Sequence, residues 1–400
     1  MDPSRISLRP FKLSDVDDFL KWASDDRVTR YLRWNSINSR EEALKYLEKV
    51  AIHHPWRRSI CLDDHSIGYI SISPESGEDR CRARLGYALA AEYWGQGIAT
   101  IALKMAVSGV FKEVAGLVRV HAVVEVENKG SQRVLEKTGF LKEGLLRKYG
   151  YCKGEIRDMI VIYCGHTHAC ILFCVKLSSS CVFLILFSFK HINSSLNYQE
   201  SEASLLKSAH IILQMEQNSF TSDLLKEGGD DFSDISLRPL DLSDIDDFMV
   251  WATDAKVARF CSWEPYTNKE DALNYIKNSV LPHPWFKAVC LNNRPIGAVS
   301  VTKNSGNDIC RGELGYAFAS QYWGKGFATK AVKLVAKTIF IEWPHLERLE
   351  ALVDVKNAGS QRVLEKAGFE REGVLRKYLL LKGKSRDMVM FSLLSTDPQI

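Results

Sequence analysis

The sequence predicts an α+β (mixed α/β) fold that occurs twice, each copy having a central mixed, mostly antiparallel sheet flanked by helices. The duplication is the first observation, because three segments recur at one constant offset of 229 residues: Ile6–Pro10 at Ile235–Pro239, Trp94–Gly97 at Trp323–Gly326, and Ser131–Lys137 at Ser360–Lys366. So long a period indicates whole domains and not a solenoid. The second observation is a helical pattern inserted between two strand-rich stretches, which is typical of α+β folds.

The first elements of each copy can be assigned from apolar spacing and capping residues. Residues 6–12 predict a short strand, and Ser14 with Asp17 indicates the start of a first helix. The pattern Ser39-x-x-Glu42 opens a second helix. Its apolar face is expected to carry Ala43, Leu44, Leu47 and Val50.

The rest of the copy alternates between strands and helices. Three strands are expected at 58–62, 67–72 and 85–89, with a loop at 74–77. A third helix is expected from about Thr100 to Val114, a β-branched strand at 118–126, a fourth helix ending at Lys137, and two short strands near 144–151 and 157–163. The last strand of copy 1 is expected to be poorly formed, because the repeat stops after Tyr163.

Domain boundaries follow from the repeat. Copy 1 is predicted to span 1–163 and copy 2 to span 235–400, with a junction at 164–234 that contains an apolar run at 169–189. Three interpretations of the junction stay open: a linker, a membrane segment, or sequence between two neighbouring duplicate genes with Met215 as the second initiator. The run is long enough to cross a bilayer. A crossing would separate the copies, so membrane attachment is not expected, and deletion of 164–214 is expected to leave both copies folded.

Composition excludes some classes of partner and cofactor. A hydrophobic content of 46%, a charged content of 26% and a net charge of +4 are typical of a globular protein and do not indicate nucleic-acid binding. No secretory signal is recognised, so a cytoplasmic location is expected. The recurring cysteines are expected in the core rather than in disulfides, namely Cys61, Cys290, Cys81 and Cys310. Alternating Cys and His at 164–170 match no common zinc pattern, and no metal is predicted.

The most informative motif is the turn Tyr93-Trp-Gly-Gln-Gly-Ile-Ala-Thr100, which recurs as Tyr322-Trp-Gly-Lys-Gly-Phe-Ala-Thr329. We call it the phosphate turn. It follows a strand and opens a helix, where closely spaced glycines, free N–H groups and the helix dipole favour a phosphate. A structural turn alone could also use these glycines, but the recurrence favours anion binding.

A second motif joins Asn128-x-x-Ser131 to Gly139 and Phe140. Part of it is explained by structure alone: Asn128 can cap the helix, Gly139 suits a left-handed position after it, and Phe140 adds an apolar contact. Helix capping does not explain why Asn and Ser directly follow a β-branched strand.

Together the two motifs resemble the GNAT acetyltransferase superfamily, most closely its RimJ/RimL-like branch. The resemblance covers 6–163 and 235–392. It implies that two central strands separate to admit acetyl-CoA, with Asn128 and Asn357 contacting its arm. The same resemblance implies that backbone N–H groups hold the pyrophosphate, those of Gln96, Gly97, Ile98, Ala99 and Thr100 in copy 1 and of Lys325, Gly326, Phe327, Ala328 and Thr329 in copy 2.

Two departures from the family pattern affect the chemistry. Trp94 and Trp323 replace the Arg or Gln of many members, which removes a cofactor contact. Leucine, at 135 and 364, replaces the tyrosine that many members use as general acid. The resemblance implies that Ser131 and Ser360 take that role instead.

A general base is also needed, because an ammonium group cannot attack a thioester. By resemblance, Glu313 is placed where family members often have a catalytic carboxylate, although a solvated strand residue is an equal interpretation. Copy 1 has Arg84 at the aligned position, so copy 2 is expected to be the better catalyst. The alternative bases are Glu125 and Asp354 on the following strands.

The sequence therefore predicts an N-acetyltransferase that moves an acetyl group from acetyl-CoA directly to an amine. The acceptor is expected to be a protein N-terminus, a lysine or a small amine, and the oligomeric state is left open. The alternatives are a regulatory GNAT module that binds acyl-CoA with little catalysis and, less favoured, a membrane-tethered protein that uses 169–189 as its anchor.

Overall fold

Within residues 2–165 and 235–398, which the computed structural model describes, each copy is a seven-stranded sheet with helices on both faces. The predicted junction, with its apolar run and Met215, lies outside the described residues apart from Cys164 and Gly165. None of the described helices is long and apolar enough to cross a membrane.

The elements of copy 1 are close to those predicted. Its strands are β1 Ile6–Arg9, β2 Arg57–Leu62, β3 His65–Pro74, β4 Arg82–Leu89, β5 Arg119–Glu125, β6 Leu141–Cys152 and β7 Glu155–Gly165. Its helices are α1 Val16–Ala23, α2 Asp26–Thr29, α3 Arg40–Tyr46, α4 Ile98–Glu113 and α5 Lys129–Lys137.

Copy 2 repeats this order. Its strands are β8 Ile235–Pro239, β9 Phe286–Leu291, β10 Arg294–Lys303, β11 Arg311–Phe318, β12 Arg348–Asp354, β13 Glu370–Leu381 and β14 Lys384–Leu394. Its helices are α6 Ile245–Ala252, α7 Ala255–Ala258, α8 Lys269–Tyr275, α9 Phe327–Glu342 and α10 Ala358–Lys366.

Three local expectations need correction. The first helix is preceded by a short turn in which the Asp15 carboxylate accepts from the Lys12 backbone N–H at 2.8 Å, so neither Ser14 nor Asp17 caps it. After α3 the chain continues as a π-helical turn at Leu47–Ala51, which changes the helical spacing and leaves Val50 43% exposed. Strand β7 is fully formed and equals β14 in length, and it runs two residues past the predicted end of copy 1.

Each sheet has a core on both faces. Helices α4 and α5 pack on one face around residues such as Leu103 and Leu135, both fully buried, while α1 and the π-helical turn after α3 pack Phe19 and Leu47 on the other face. Capping of α3 by Ser39 is confirmed, because its hydroxyl accepts from the Glu42 N–H at 3.1 Å. The repeated cysteines are buried core residues, as predicted: Cys61, Cys81, Cys290 and Cys310.

The central strands of each copy are parallel neighbours that separate. Strands β4 and β5 pair only from Arg82 opposite Arg119 to Arg84 opposite His121. In copy 2, β11 and β12 pair only as far as Glu313 opposite Glu350. Beyond these positions the strands are not hydrogen-bonded to each other, so each sheet has a gap that we call the opening. The expected separation of the strands is therefore observed.

The two copies share one sheet. Strand β6 lies beside β13, where Gly144 is opposite Gly373, and the order is β1-β2-β3-β4-β5-β7-β6-β13-β14-β12-β11-β10-β9-β8. This close approach requires glycine, because a Cβ on Gly373 would lie 2.3 Å from the Glu143 carbonyl oxygen. Apolar residues of both copies pack behind this contact, namely Leu146, Tyr149, Met159, Val161, Leu375 and Met390.

Buried ion pairs also cross between the copies. Arg119 pairs with Glu143 at 2.6 Å, both side chains being fully buried. The backbone of Arg376 in copy 2 completes the pair, since its carbonyl accepts from Arg119 at 2.5 Å and its N–H donates to Glu143 at 2.7 Å. The mirrored contacts are made by Arg348, Glu372 and the backbone of Arg147. Each copy therefore satisfies buried charges of the other, and an unsatisfied buried charge is costly.

Candidate active site

The phosphate turn has the geometry of an anion site in both copies. Gly95 and Gly97 have φ of +77° and +82°, a region that favours glycine, and α4 begins directly after them at Ile98. A Cβ at Gly97 would meet no atom within 4 Å, so the turn faces open space. Gly324 and Gly326 have the same conformation, with φ of +75° and +82°.

The structure brings together the backbone groups that the resemblance selects. The first N–H groups of an α-helix have no partner within it, and here they continue from the two turn residues that precede the helix. They belong to Gln96, Gly97, Ile98, Ala99 and Thr100 in copy 1 and to Lys325, Gly326, Phe327, Ala328 and Thr329 in copy 2. The indole N–H of Trp94 donates to the Leu89 carbonyl at 2.7 Å, so that side chain fixes the turn.

The Asn-x-x-Ser motif lies at the same edge of the sheet. Strands β4 and β5 are parallel, so the turn after β4 and the helix after β5 flank the carboxyl end of the opening. The Asn128 side-chain oxygen accepts from the Ser131 N–H at 3.1 Å, and Asn357 does the same with Ser360 at 3.2 Å. The oxygen of each asparagine thus caps a helix, while its contact with a cofactor stays a prediction.

A tyrosine that the sequence analysis missed completes this side of the opening. The Tyr87 hydroxyl lies 2.8 Å from the Ser131 hydroxyl, and the Tyr316 hydroxyl lies 2.6 Å from that of Ser360. Burial raises the pKa of both Tyr87 and Tyr316 to about 12, against a smaller lowering by the serines. Each tyrosine is therefore protonated at neutral pH and can donate to its serine. The recurrence of Leu-Gly-Tyr at 85–87 and 314–316 was the signal that could have identified it.

Leu135 and Leu364 are fully buried in the cores under α4 and α9. Both leucines are thus packed as core residues, which leaves the general acid to other groups. The Tyr–Ser pairs provide hydroxyl groups in both copies.

Glu313 lies on the opposite face of the sheet from Tyr316, because side chains alternate along a strand. Its neighbour Leu314 is buried in the core under α9, whereas Glu313 is exposed on the other face at the last paired position of β11. The opening thus has hydroxyl groups on one face and a carboxylate on the other.

The surroundings of Glu313 disfavour its charge. Loss of hydration beside the surrounding protein atoms is the largest effect on this carboxyl, and the negative charges of Glu350 and Asp79 act in the same direction. Together they raise the pKa of Glu313 to about 7, against the positive charges of Arg311 and Arg82, which lower it. The residue is nevertheless exposed to solvent, which screens part of this repulsion. A base with a pKa near neutrality is well matched to its task.

Glu350, beside Glu313, is a second acidic residue that the sequence analysis did not select. Burial would raise its pKa, but Arg311 and Arg348 outweigh this effect and lower it, so Glu350 is ionised. Its oxygens accept from Arg311 and from Arg348, the latter at 2.8 Å. Glu350 is thus committed to ion pairs and contributes mainly its negative field.

Copy 1 has different chemistry at the same two positions. Arg84 replaces Glu313, and His121 replaces Glu350. Burial lowers the pKa of His121 well below its usual value, and Arg119, Arg84 and Arg82 add to the effect. His121 is therefore neutral, 4% exposed, and its Nδ1 has no hydrogen-bond partner among the described residues.

The alternative bases Glu125 and Asp354 lie at the carboxyl ends of β5 and β12. Both are buried, with Arg157 Nε 3.9 Å from Glu125 and Arg386 Nε 3.9 Å from Asp354. Asp354 is four residues beyond Glu350 on one strand, about 13 Å along it. The structure therefore does not bring these carboxylates together with Glu313.

No group of His, Cys, Asp and Glu within residues 2–165 and 235–398 is arranged to hold a metal ion.

Comparison with known proteins gives matches to each copy separately. The sequence profile of the family described as "Acetyltransferase (GNAT) domain" matches residues 5–141 and 234–370. The chain is 32% identical over 164 residues to the uncharacterized N-acetyltransferase YoaA of Bacillus subtilis (strain 168). This match covers 40% of this chain and 92% of that protein. It is 33% identical over 88 residues to the ribosomal protein uS5-alanine N-acetyltransferase of Escherichia coli (strain K12), covering 21% and 43%. Among solved structures, Mycobacterium smegmatis RimJ in complex with CoA-disulfide matches with a TM-score of 0.38 at 25% identity, covering 42% of this chain and 88% of that one.

Proposed function

Since this chain belongs to the GNAT acetyltransferase family and is an N-acetyltransferase, we propose that each copy binds acetyl-CoA in its opening and transfers the acetyl group directly to an amine. One observation supports this most strongly. In both copies the phosphate turn and a hydrogen-bonded Tyr–Ser pair flank the carboxyl ends of two parallel strands that have separated.

The turn fits a pyrophosphate. Side chains are missing at Gly95 and Gly97, nothing occupies the space where a Cβ of either would point, and free N–H groups follow them. Acetyl-CoA supplies the acetyl group as a thioester. Residues 96–100 and 325–329 would hold its phosphates, and Asn128 and Asn357 would contact its arm.

Ser360, supported by Tyr316, is proposed as the general acid of copy 2. When the C–S bond of the thioester breaks, the departing sulfur needs a proton, which the serine hydroxyl can donate. Tyr316 can return a proton to the serine, because the two hydroxyls are 2.6 Å apart and the tyrosine is protonated, and a proton from solvent then restores the tyrosine. Ser131 with Tyr87 has the same geometry in copy 1.

Glu313 is proposed as the general base of copy 2. An acceptor amine arrives mostly as an ammonium and must lose a proton before its nitrogen forms the new C–N bond. Glu313, directly or through a water, can take that proton and release it to solvent. Glu125 and Asp354 remain the alternatives, although they are buried beside arginines.

The proposed acceptor is a protein N-terminus, a lysine or a small amine. Nucleic acid is not proposed as a partner. The Escherichia coli relative is named for an alanine of a ribosomal protein, which makes a protein N-terminus a reasonable first substrate to assay.

A second function is favoured for copy 1 by one observation. Arg84 cannot act as a base at neutral pH and repels an ammonium. Copy 1 could therefore bind acyl-CoA with little catalysis and act as a regulatory module.

The test is release of CoA thiol from acetyl-CoA by the full chain, with peptides, polyamines and small amines as acceptors, alongside calorimetric titration with CoA. Amine-dependent thiol release with acetylated product is expected. CoA binding without turnover on any acceptor would favour the regulatory module, and no CoA binding would exclude both.

A further inference from the structure

The two copies have side chains of opposite charge at one aligned position of their openings. At the last paired position of the central strands, copy 1 has Arg84 beside a neutral histidine, and copy 2 has Glu313 beside an ionised glutamate. The cofactor side does not differ in this way, since the phosphate turn and the Tyr–Ser pair recur in both copies.

Neither Arg84 nor Glu313 is neutralised by an ion pair within the described residues. The Nε of Arg84 is buried without a hydrogen-bond partner in this part of the chain, and so is the Nδ1 of His121, whose side chain is buried on the same face of the sheet. Polar groups buried without partners are costly. Arg84 is half-buried and not fully enclosed, so a carboxylate of a ligand can pair with its guanidinium.

An aspartate from the opposite copy lies near each of these residues, Asp79 near Glu313 and Asp308 near Arg84. Asp79 adds to the negative charge at copy 2, whereas Asp308 partly offsets the positive charge at copy 1. At the opening of copy 2, Asp79 of copy 1 lies close enough to Glu313 to disfavour its ionisation, although Asp79 also pairs with Arg82 at 2.7 Å. At the opening of copy 1, the equivalent Asp308 of copy 2 is held by Arg33 at 2.8 Å and by Arg311 at 3.3 Å. Copy 2 has Ser262 at the position aligned with Arg33. Asp79 therefore lacks the ion pair with an arginine of the opposite copy that Asp308 makes with Arg33.

We propose that the two copies select acceptor amines of opposite charge: copy 1 an amine with a carboxylate nearby, and copy 2 an amine with further positive charge nearby. This rests on the proposed function, because it places the acceptor at the face of the opening that presents Arg84 or Glu313. Like charges disfavour the wrong partner and opposite charges favour the right one, so the charge pattern determines specificity more than maximal affinity.

The test uses the full chain with one copy blocked at its turn: Gly326→Val leaves copy 1 available and Gly97→Val leaves copy 2 available. The probes are two conjugates in which CoA is joined through an acetyl linker to the N-terminus of a short peptide. One peptide has Asp and Glu after its first residue, and the other has Lys and Arg. Binding is measured by calorimetry, so the result does not depend on turnover.

Copy 1 should bind the acidic conjugate on the order of tenfold more tightly than the basic one, and copy 2 should show the reverse order. Arg84→Glu in the chain with only copy 1 available should reverse its preference. The control is Arg40→Glu, the same change of charge at an exposed position on α3, which should leave the preference unchanged.

Equal preference in the two copies, or an unchanged preference after Arg84→Glu in a chain whose thermal melt is intact, would overturn the inference while leaving the proposed function in place. Failure of CoA itself to bind either copy would instead contradict the proposed function, and the inference with it.

Discussion

At the scale of single residues, the left-handed conformation of Gly97 and Gly326 defines the cofactor turn. A valine at either position would be strained at φ near +82° and would point into the open space that the phosphates need. We expect Gly97→Val to weaken CoA binding by copy 1, and Gly326→Val by copy 2, by at least about tenfold, as measured by calorimetry.

Two control variants introduce the same backbone strain away from the turn. They are Gly116→Val, at the far end of α4, and Gly383→Val, in a hairpin. These glycines have φ of +76° and +73°, and a Cβ added at either would meet no atom within 4 Å, as at the turn glycines. Unchanged affinity in the turn variants, or an equal loss in the controls, would mean that the phosphates bind elsewhere.

Glu313 should give copy 2 a pH dependence near neutrality. A base works when deprotonated, and the pKa of this carboxyl is raised to about 7, so kcat/KM should rise as the pH increases through about 7. In the chain with Gly97→Val, Glu313→Gln should remove this limb and lower the rate by about 10²-fold or more. Glu365→Gln, at an exposed glutamate of α10, is the control, and an intact pH limb in Glu313→Gln would transfer the role to Asp354.

At the scale of elements, the sequence predicted the order and type of strands and helices well. The spacing of apolar residues, the capping residues and the glycine positions are local signals. Ser39, Asn128 and Gly139 have the roles that these signals predicted. The separation of the central strands came from the family resemblance. The pairing of Tyr87 with Ser131 was missed because it joins residues 44 positions apart on different elements, and no local pattern encodes it.

The contact between β6 and β13 was also invisible in the sequence. Glu143 and Glu372 look like solvated strand residues, yet both are buried because an arginine of the same copy and the backbone of the other copy satisfy them. From the sequence alone, two strands with charged residues are not predicted to lie at the centre of a sheet. The pattern becomes interpretable only when the copies are placed together.

Breaking one of these buried pairs should destabilise the protein strongly. Arg348→Met would leave Glu372 charged and buried without its main partner, which typically costs about 3–5 kcal/mol of the free energy of unfolding. Arg27→Met, which breaks the exposed pair with Asp25, should change stability by no more than about 1 kcal/mol. Denaturant titration of both variants measures the difference, and equal small effects would contradict the burial of the pair.

At the scale of the whole molecule, the two copies form one unit, because their sheets and buried charges are shared. The expectation from the sequence that 164–214 can be deleted needs correction at its start, because Cys164 is buried in the core of copy 1 and pairs with β5 together with Gly165. Deletion of the rest of the segment stays a prediction. A protease site introduced within 166–234 provides the test. After cleavage, the halves should still co-elute in gel filtration and melt in one transition, and separation into two folded halves would contradict the shared sheet.

Both openings are proposed to be acetyl-CoA sites, with copy 2 the better catalyst. The decisive measurement is acetyl-CoA turnover on one uncharged acceptor peptide by the full chain with Gly97→Val, with Gly326→Val, and with both. At limiting acetyl-CoA, we predict turnover about 10²-fold faster or more when copy 2 is available than when only copy 1 is, and at least about tenfold slower again when both turns are blocked. Equal rates from the two copies, or a rate that blocking both turns leaves unchanged, would contradict this assignment.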